Sequence, residues 1–317
     1  PWFQSSKESL GLSEFALTPE FLRTSFHKVA LSFIRMAVSP GENYTICTTE
    51  NMSAVSPQSE KILISVAPLK SPLPFNERVS AFFGQFIHEV SHLKFTDFSF
   101  PKKSELFVHL VNVLEDRRIE HLMCEENPGF KNYLIATRTY YTAKSIYDTE
   151  NSATPVVKGG TEAKCFNEAL GRFIVGRVLY PYHLGACEEY ASILETIITS
   201  YIGEGGFKSL CEILDLRFLT FKEIIGQAKD LEKFFDLKEN KEYANNPDGF
   251  TQKVTPSSYS ANCTKEELEV INAMINSMSS IKSVDNLEKV IKNGEAKELN
   301  SPKISDEFKT MMDNDYS

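Results

Sequence analysis

Residues His88-Glu89-Val90-Ser91-His92 form an H-E-x-x-H pentad inside an apolar stretch. On a helix the two histidines lie one turn apart, so both imidazoles leave the same face and can grip one divalent cation. Glu89 sits beside them, where a carboxylate can take a proton from water activated by that cation. In a chain with six histidines, such a pentad arises by chance about once in a hundred sequences, so the reading demands a third ligand. The neighbours Phe82, Phe83, Phe86, Ile87, Val90 and Leu93 are apolar over most of the helix circumference. Such a helix is buried, and buried imidazoles need partners.

A catalytic zinc takes three protein ligands and leaves one position open. The next helical run, Ser104 to Glu120, offers the missing one. Counting by threes and fours from Glu115 gives Val108, Val111, Ile119 and Leu122, an apolar stripe with a carboxylate at its centre. A carboxylate bound for the core requires a positive partner, which makes Glu115 the first candidate. Asp116 is the alternative. It shares a face with His109 and Asn112, a trio suited to orienting a ligating imidazole through its free N–H. Glu120 reads as a surface charge pairing with Arg117. Two imidazoles and a carboxylate suit Zn2+ best among common ions.

The blocks Phe86-Ile87-His88-Glu89-Val90-Ser91-His92-Leu93-Lys94-Phe95-Thr96-Asp97-Phe98 and Asn112-Val113-Leu114-Glu115-Asp116-Arg117-Arg118-Ile119-Glu120 resemble the metallopeptidase module of CobT-like proteins. That module carries an H-E-x-x-H helix followed by an asparagine-x-leucine-glutamate-aspartate-x-arginine block, and it recurs in bacterial and phage-encoded proteins. The resemblance covers residues 76–126. It implies a zincin of the glutamate-ligand type, with His88, His92 and Glu115 as metal ligands, Glu89 as general base and a peptide or protein as substrate. It also implies a von Willebrand A domain or an AAA-type ATPase as partner. No Asp-x-Ser-x-Ser run is present, so the von Willebrand A partner is expected on another chain, if anywhere. The alternative implied by the same resemblance is a metal-stabilised scaffold or adaptor subunit without catalysis. An oxyanion donor would come from Tyr140, Tyr141, Tyr182 or His183, and no spacing rule chooses among them.

The chain has 317 residues, 42% hydrophobic and 24% charged, with a net charge of −9. This is ordinary globular composition, and the acidic balance argues against nucleic acid or an anionic membrane surface as partner. No apolar run reaches the length of a membrane span, and no secretory signal opens the sequence. Pro1 at the first position fits a removed initiator methionine and a processed chain equally well. Six scattered cysteines without a C-x-x-C pair favour reduced thiols and a cytoplasmic setting (host cytoplasm, or virion if phage-encoded).

These groups need a scaffold. A helix is expected over Glu20–Val38, opened by Thr18-Pro19 and closed by Ser39-Pro40-Gly41. His27 lies on it as a core histidine. Strands are expected at Tyr44–Thr49 and Lys61–Ala67, separated by a polar loop, the second either bordering the cleft as an edge that receives an extended substrate or, alternatively, an interior strand. Ser71-Pro72-Leu73-Pro74 is a breaker, after which Asn76 caps the metal helix and Phe95 ends it. Asn127-Pro128-Gly129 stops the next helix. Helices are expected around Tyr133–Tyr147, Ala163–Leu179, Cys187–Tyr201, within Leu210–Leu237 and at Lys265–Ile281. Thr149–Gly160 reads as a polar loop. The fold class is therefore α+β and mainly helical, a zincin-like metallopeptidase with a small N-terminal sheet and a two-helix metal site. The expected division is a metallopeptidase domain over 1–240, a linker or surface loop over 241–262 and an acidic, partly disordered helical tail over 263–317.

Overall fold

The computed structural model describes residues 17–50, 52–100, 104–151, 162–179, 188–217, 220–237, 262–294 and 299. They form a mainly helical α+β protein with one three-stranded sheet. The chain divides into two units: one holds the sheet (13–95, 127–140 and 252–317), and the other is helical (96–126 and 141–251, with 1–12).

In the sheet-bearing unit, α1 runs Pro19–Arg35, with the Thr18 hydroxyl accepting from the Phe21 amide at 3.2 Å and Pro19 at the first turn. It ends three residues short of the expected Val38. Strands β1 (Thr45–Thr49), β2 (Ala54–Ser56) and β3 (Lys61–Ser65) follow. Their order is β1-β3-β2, with β1 parallel and β2 antiparallel to β3. The expectation that Lys61–Ala67 is an open edge is corrected here. Strand β3 is the interior strand, its backbone groups taken up on both sides, and Ile62 and Ile64 are fully buried. Along the chain, strand β2 lies between the two strands expected from the sequence.

Helix α2 spans Phe75–Phe95 and carries the pentad. It begins one residue before Asn76, with the Pro74 carbonyl accepting from the amides of Glu77 and Arg78 at 3.0 Å each. Asn76 is therefore inside the helix and not its cap. Phe82, Phe83 and Phe86 interlock edge-to-face and tilted, with Phe26 and Phe33 of α1 against them. Such rings bury large areas and add about 0.5–1.5 kcal/mol per pair beyond that burial. Polar ties fix the helix to the sheet: Gln85 Nε2 donates to the Ser65 carbonyl at 3.2 Å, and the Ser53 hydroxyl donates to Gln85 Oε1 at 3.0 Å.

The segment expected to be a tail packs into this same unit. Its first helix, running Lys265–Ser280, opens with a capping box between Thr264 and Glu267 and buries Leu268, Ile271 and Met274. A further helix, Val284–Lys292, follows. Between them the chain pairs with the outer side of β1: the Ile46 amide donates to the Lys282 carbonyl at 3.0 Å, and the Val284 amide to the Tyr44 carbonyl at 3.1 Å. The expected loop Asn240–Asn262 lies outside the described residues except for Asn262, whose amide donates to the Pro72 carbonyl at 2.6 Å.

The helical unit contains α3 (Glu105–Glu126), α5 (Glu162–Leu179), α6 (Glu188–Asp215) and α7 (Phe221–Glu232), and α4 (Lys131–Asn151) enters it at residue 141. Its core is built from Phe107, Leu110 and Leu114 of α3 with Leu170 and Ile174 of α5, Leu210 of α6 and Leu231 of α7. Helix α6 is broken at Gly203, whose φ of 74° is open to glycine and strained for other residues. Cys47, Cys211 and Cys263 are free thiols. Among the described residues, no helix is long and apolar enough to cross a membrane.

Two stability predictions follow from this packing. A Cβ on Gly84 of α2 would overlap the Thr137 hydroxyl and the Tyr133 carbonyl. Gly84→Ala therefore destabilises by about 1–3 kcal/mol despite the helix-propensity gain, and chemical denaturation reads the loss. His27 is buried, with Nε2 2.5 Å from the Ser277 hydroxyl, and burial lowers its pKa below the usual 6.5. Its neutral form belongs to the folded state, so its contribution is complete above pH ~6.5 and is lost as pH falls through the folded value. Denaturation midpoints in His27→Asn lose that acid-side slope.

Candidate metal centre

The helical period sets the two pentad imidazoles side by side, with ring centroids 4.8 Å apart and planes at 88°. His92 and Glu89 are buried, at 8% and 5% exposure, while His88 is half-buried. The Ser91 hydroxyl turns away from this face and donates to the Ile87 carbonyl at 2.6 Å. A solvated surface pentad would look different: here a carboxylate and an imidazole have given up most of their water, which costs free energy unless a cation or hydrogen bonds compensate.

Both candidate acids of α3 are buried, Glu115 at 2% and Asp116 at 8% exposure. Their surroundings differ. Arg118, one turn on, donates through Nε to Glu115 Oε2 and through Nη2 to Oε1, both at 2.6 Å. The Thr96 hydroxyl adds a third bond to Oε1 at 2.7 Å. The Glu115 carboxylate is thus forked by a guanidinium that is itself buried, a strong charge-assisted geometry. The sequence reading paired Arg117 with Glu120 and passed over Arg118; the signal available was the i,i+3 spacing of Glu115 and Arg118. Arg117 instead donates to the Leu214 carbonyl at 2.9 Å.

Among the described residues, the ligand-type side chains that come together are His88, His92 and Asp116, with one donor atom from each within 4.8 Å of the others. Glu115 is not in that group. Two imidazoles and a carboxylate are donor chemistry that zinc accepts. Of the trio expected to orient an imidazole, Asp116 is buried, His109 half-buried and Asn112 exposed. Of the oxyanion candidates, Tyr140 is buried and Tyr141 half-buried, while Tyr182 and His183 lie outside the described residues.

No family model matches the chain, and no curated protein or solved structure is significantly similar to it. The chemistry of its own side chains has to carry any functional reading.

Removing one partner of a buried ion pair strands the other charge, at a cost of about 3–5 kcal/mol. Arg118→Met is expected to lose that much in urea denaturation, and the double variant Arg118→Met, Glu115→Gln to recover part of it. A double variant as unstable as the single one would show that the pair does not hold α3.

Proposed function

We propose that this chain is a zinc-dependent metallopeptidase in which His88, His92 and Asp116 hold the metal and Glu89 is the general base. The observation carrying this reading is that one donor atom each of His88, His92 and Asp116 lies within 4.8 Å of the others, with Glu89 buried on the helix that carries the two histidines. The likeness of residues 76–126 to CobT-like modules points the same way, with Asp116 taking the ligand position that the likeness gives to Glu115. Zinc, when bound, supplies Lewis-acid polarisation of a peptide carbonyl and makes water acidic enough to lose a proton near neutral pH.

The side chains divide the remaining work. Glu89 accepts the proton of the attacking water and delivers it to the leaving amine, the two halves of general acid–base catalysis. Its burial keeps competing water away and strengthens its electrostatic action on the reacting groups. His88 and His92 are oriented by the rigid, phenylalanine-packed α2 and not by a loop, so the imidazole pair is set before substrate arrives. Glu115 is already neutralised by Arg118 of the same helix and held by Thr96, so it has no need of a metal to pair its charge.

Glu89→Gln is expected to retain one zinc per chain while abolishing peptide hydrolysis. Equal behaviour of wild type and variant in every peptide assay, with zinc bound in both, would favour the scaffold reading instead. Asp116→Ala should weaken zinc affinity by more than about a hundredfold, whereas Glu115→Gln should stay within the ten- to hundredfold range of groups that only orient a ligand. A larger loss in Glu115→Gln would return the third-ligand role to Glu115.

A further inference from the structure

The polar ties that fix α2 to the sheet fall on the face of the helix that carries the pentad. At about 100° per residue, Gln85, His88, Glu89 and His92 lie within about 100° of one another around α2, and Gln85 precedes the pentad by about one turn. Gln85 reaches the sheet there, donating to the Ser65 carbonyl at 3.2 Å and accepting from the Ser53 hydroxyl at 3.0 Å. The Ser53 hydroxyl in turn accepts from the Ser65 amide at 2.9 Å. The chain leading from β1 to β2 is thereby fixed on the pentad face of α2. All of these residues belong to the sheet-bearing unit.

Met52 stands next to Ser53 with 53% of its surface exposed. A lone exposed methionine is ordinary on a protein surface. This one projects from a backbone that is hydrogen-bonded on both sides: the Thr49 hydroxyl accepts from the Met52 amide at 3.2 Å and donates to the Met52 carbonyl. Glu50 is braced as well, its carboxylate taking Lys70 Nζ at 2.9 and 2.7 Å and its carbonyl the Ser65 hydroxyl at 3.2 Å. A fixed backbone thus turns a large apolar side chain to solvent beside the pentad face. Its thioether is unbranched and polarisable, and adapts to apolar groups of different shape.

We propose that Met52 is a specificity-determining residue, taking an apolar side chain of a peptide whose scissile bond lies at the metal centre. An extended peptide advances about 3.3–3.6 Å per residue. It therefore covers the turn of about 5.4 Å between Gln85 and the pentad in about two residues. The substrate class is peptides with an apolar residue about two or three positions from the bond that is cut. A charged residue there would lose water against the thioether and gain no partner, so it is disfavoured.

This role rests on the peptidase reading above, so its test measures binding as well as turnover. In the zinc-loaded Glu89→Gln chain, fluorescence polarisation of fluorescein-labelled oxidised insulin B chain reads binding without hydrolysis. Met52→Lys is expected to weaken that binding about tenfold, and Met52→Leu to restore it. Phe21→Lys, which changes a similarly exposed apolar residue of α1, leaves it unchanged. In chains that keep Glu89, Met52→Lys raises KM about tenfold with kcat within about twofold. Mass spectrometry of the products then shows the cuts moving away from apolar neighbours. An unchanged circular dichroism spectrum verifies the fold of each variant. Wild-type affinity in Met52→Lys, or an equal loss in Phe21→Lys, would overturn the role of Met52 and leave the peptidase reading standing. Absence of both binding and cleavage in the wild-type and Glu89→Gln chains would remove that reading and the role of Met52 with it.

Discussion

A carboxylate removed from water must find positive charge or give up its ionised form. Residues 115 and 116 place two such groups in succession on a helix whose surroundings are apolar. The first meets the demand internally through Arg118 and Thr96. Successive residues on a helix diverge by about 100°, so Asp116 points away from the side on which Glu115 meets Arg118 and Thr96.

The pentad and its helix were plain in the sequence because both rest on local rules: the turn spacing of His88 and His92, and the unbroken run of phenylalanines that could only be interior. The different surroundings of Glu115 and Asp116 were not. Periodicity separates two adjacent acids only when the helix has one apolar face, and α3 buries Leu106, Phe107, Leu110, Val113 and Leu114 beyond the stripe that was counted. Val108 and Leu122, which defined that stripe, are only half-buried. What distinguishes the two acids is Arg118, whose interior position no pattern of charges on a sequence announces.

Departures elsewhere in the fold arise from non-local contacts. The strand Lys61–Ser65 was found from its β-branched residues, but its place at the centre of the sheet depends on Ala54–Ser56, three residues with no alternation long enough to register. The aromatic packing of Phe26, Phe33 and Phe83 and the Gln85 tie to Ser65 explain why this sheet, small as it is, holds a helix rigidly enough to present two imidazoles together. Helix ends were read well where a side chain caps them, as at Thr18 and Thr264, and less well at Pro74, where only carbonyls mark the start.

The pairing of Lys282 and Val284 with the far side of β1 joins segments from near opposite ends of the sequence. Chains emerge from the ribosome N-terminus first. During synthesis β1 therefore waits with one row of amides and carbonyls bare until Lys282–Val284 have been made. Such exposed edges recruit other nascent chains, so the segment joining the two later helices also protects β1. Slow translation or an early stop would leave the growing polypeptide in need of a chaperone at that strand.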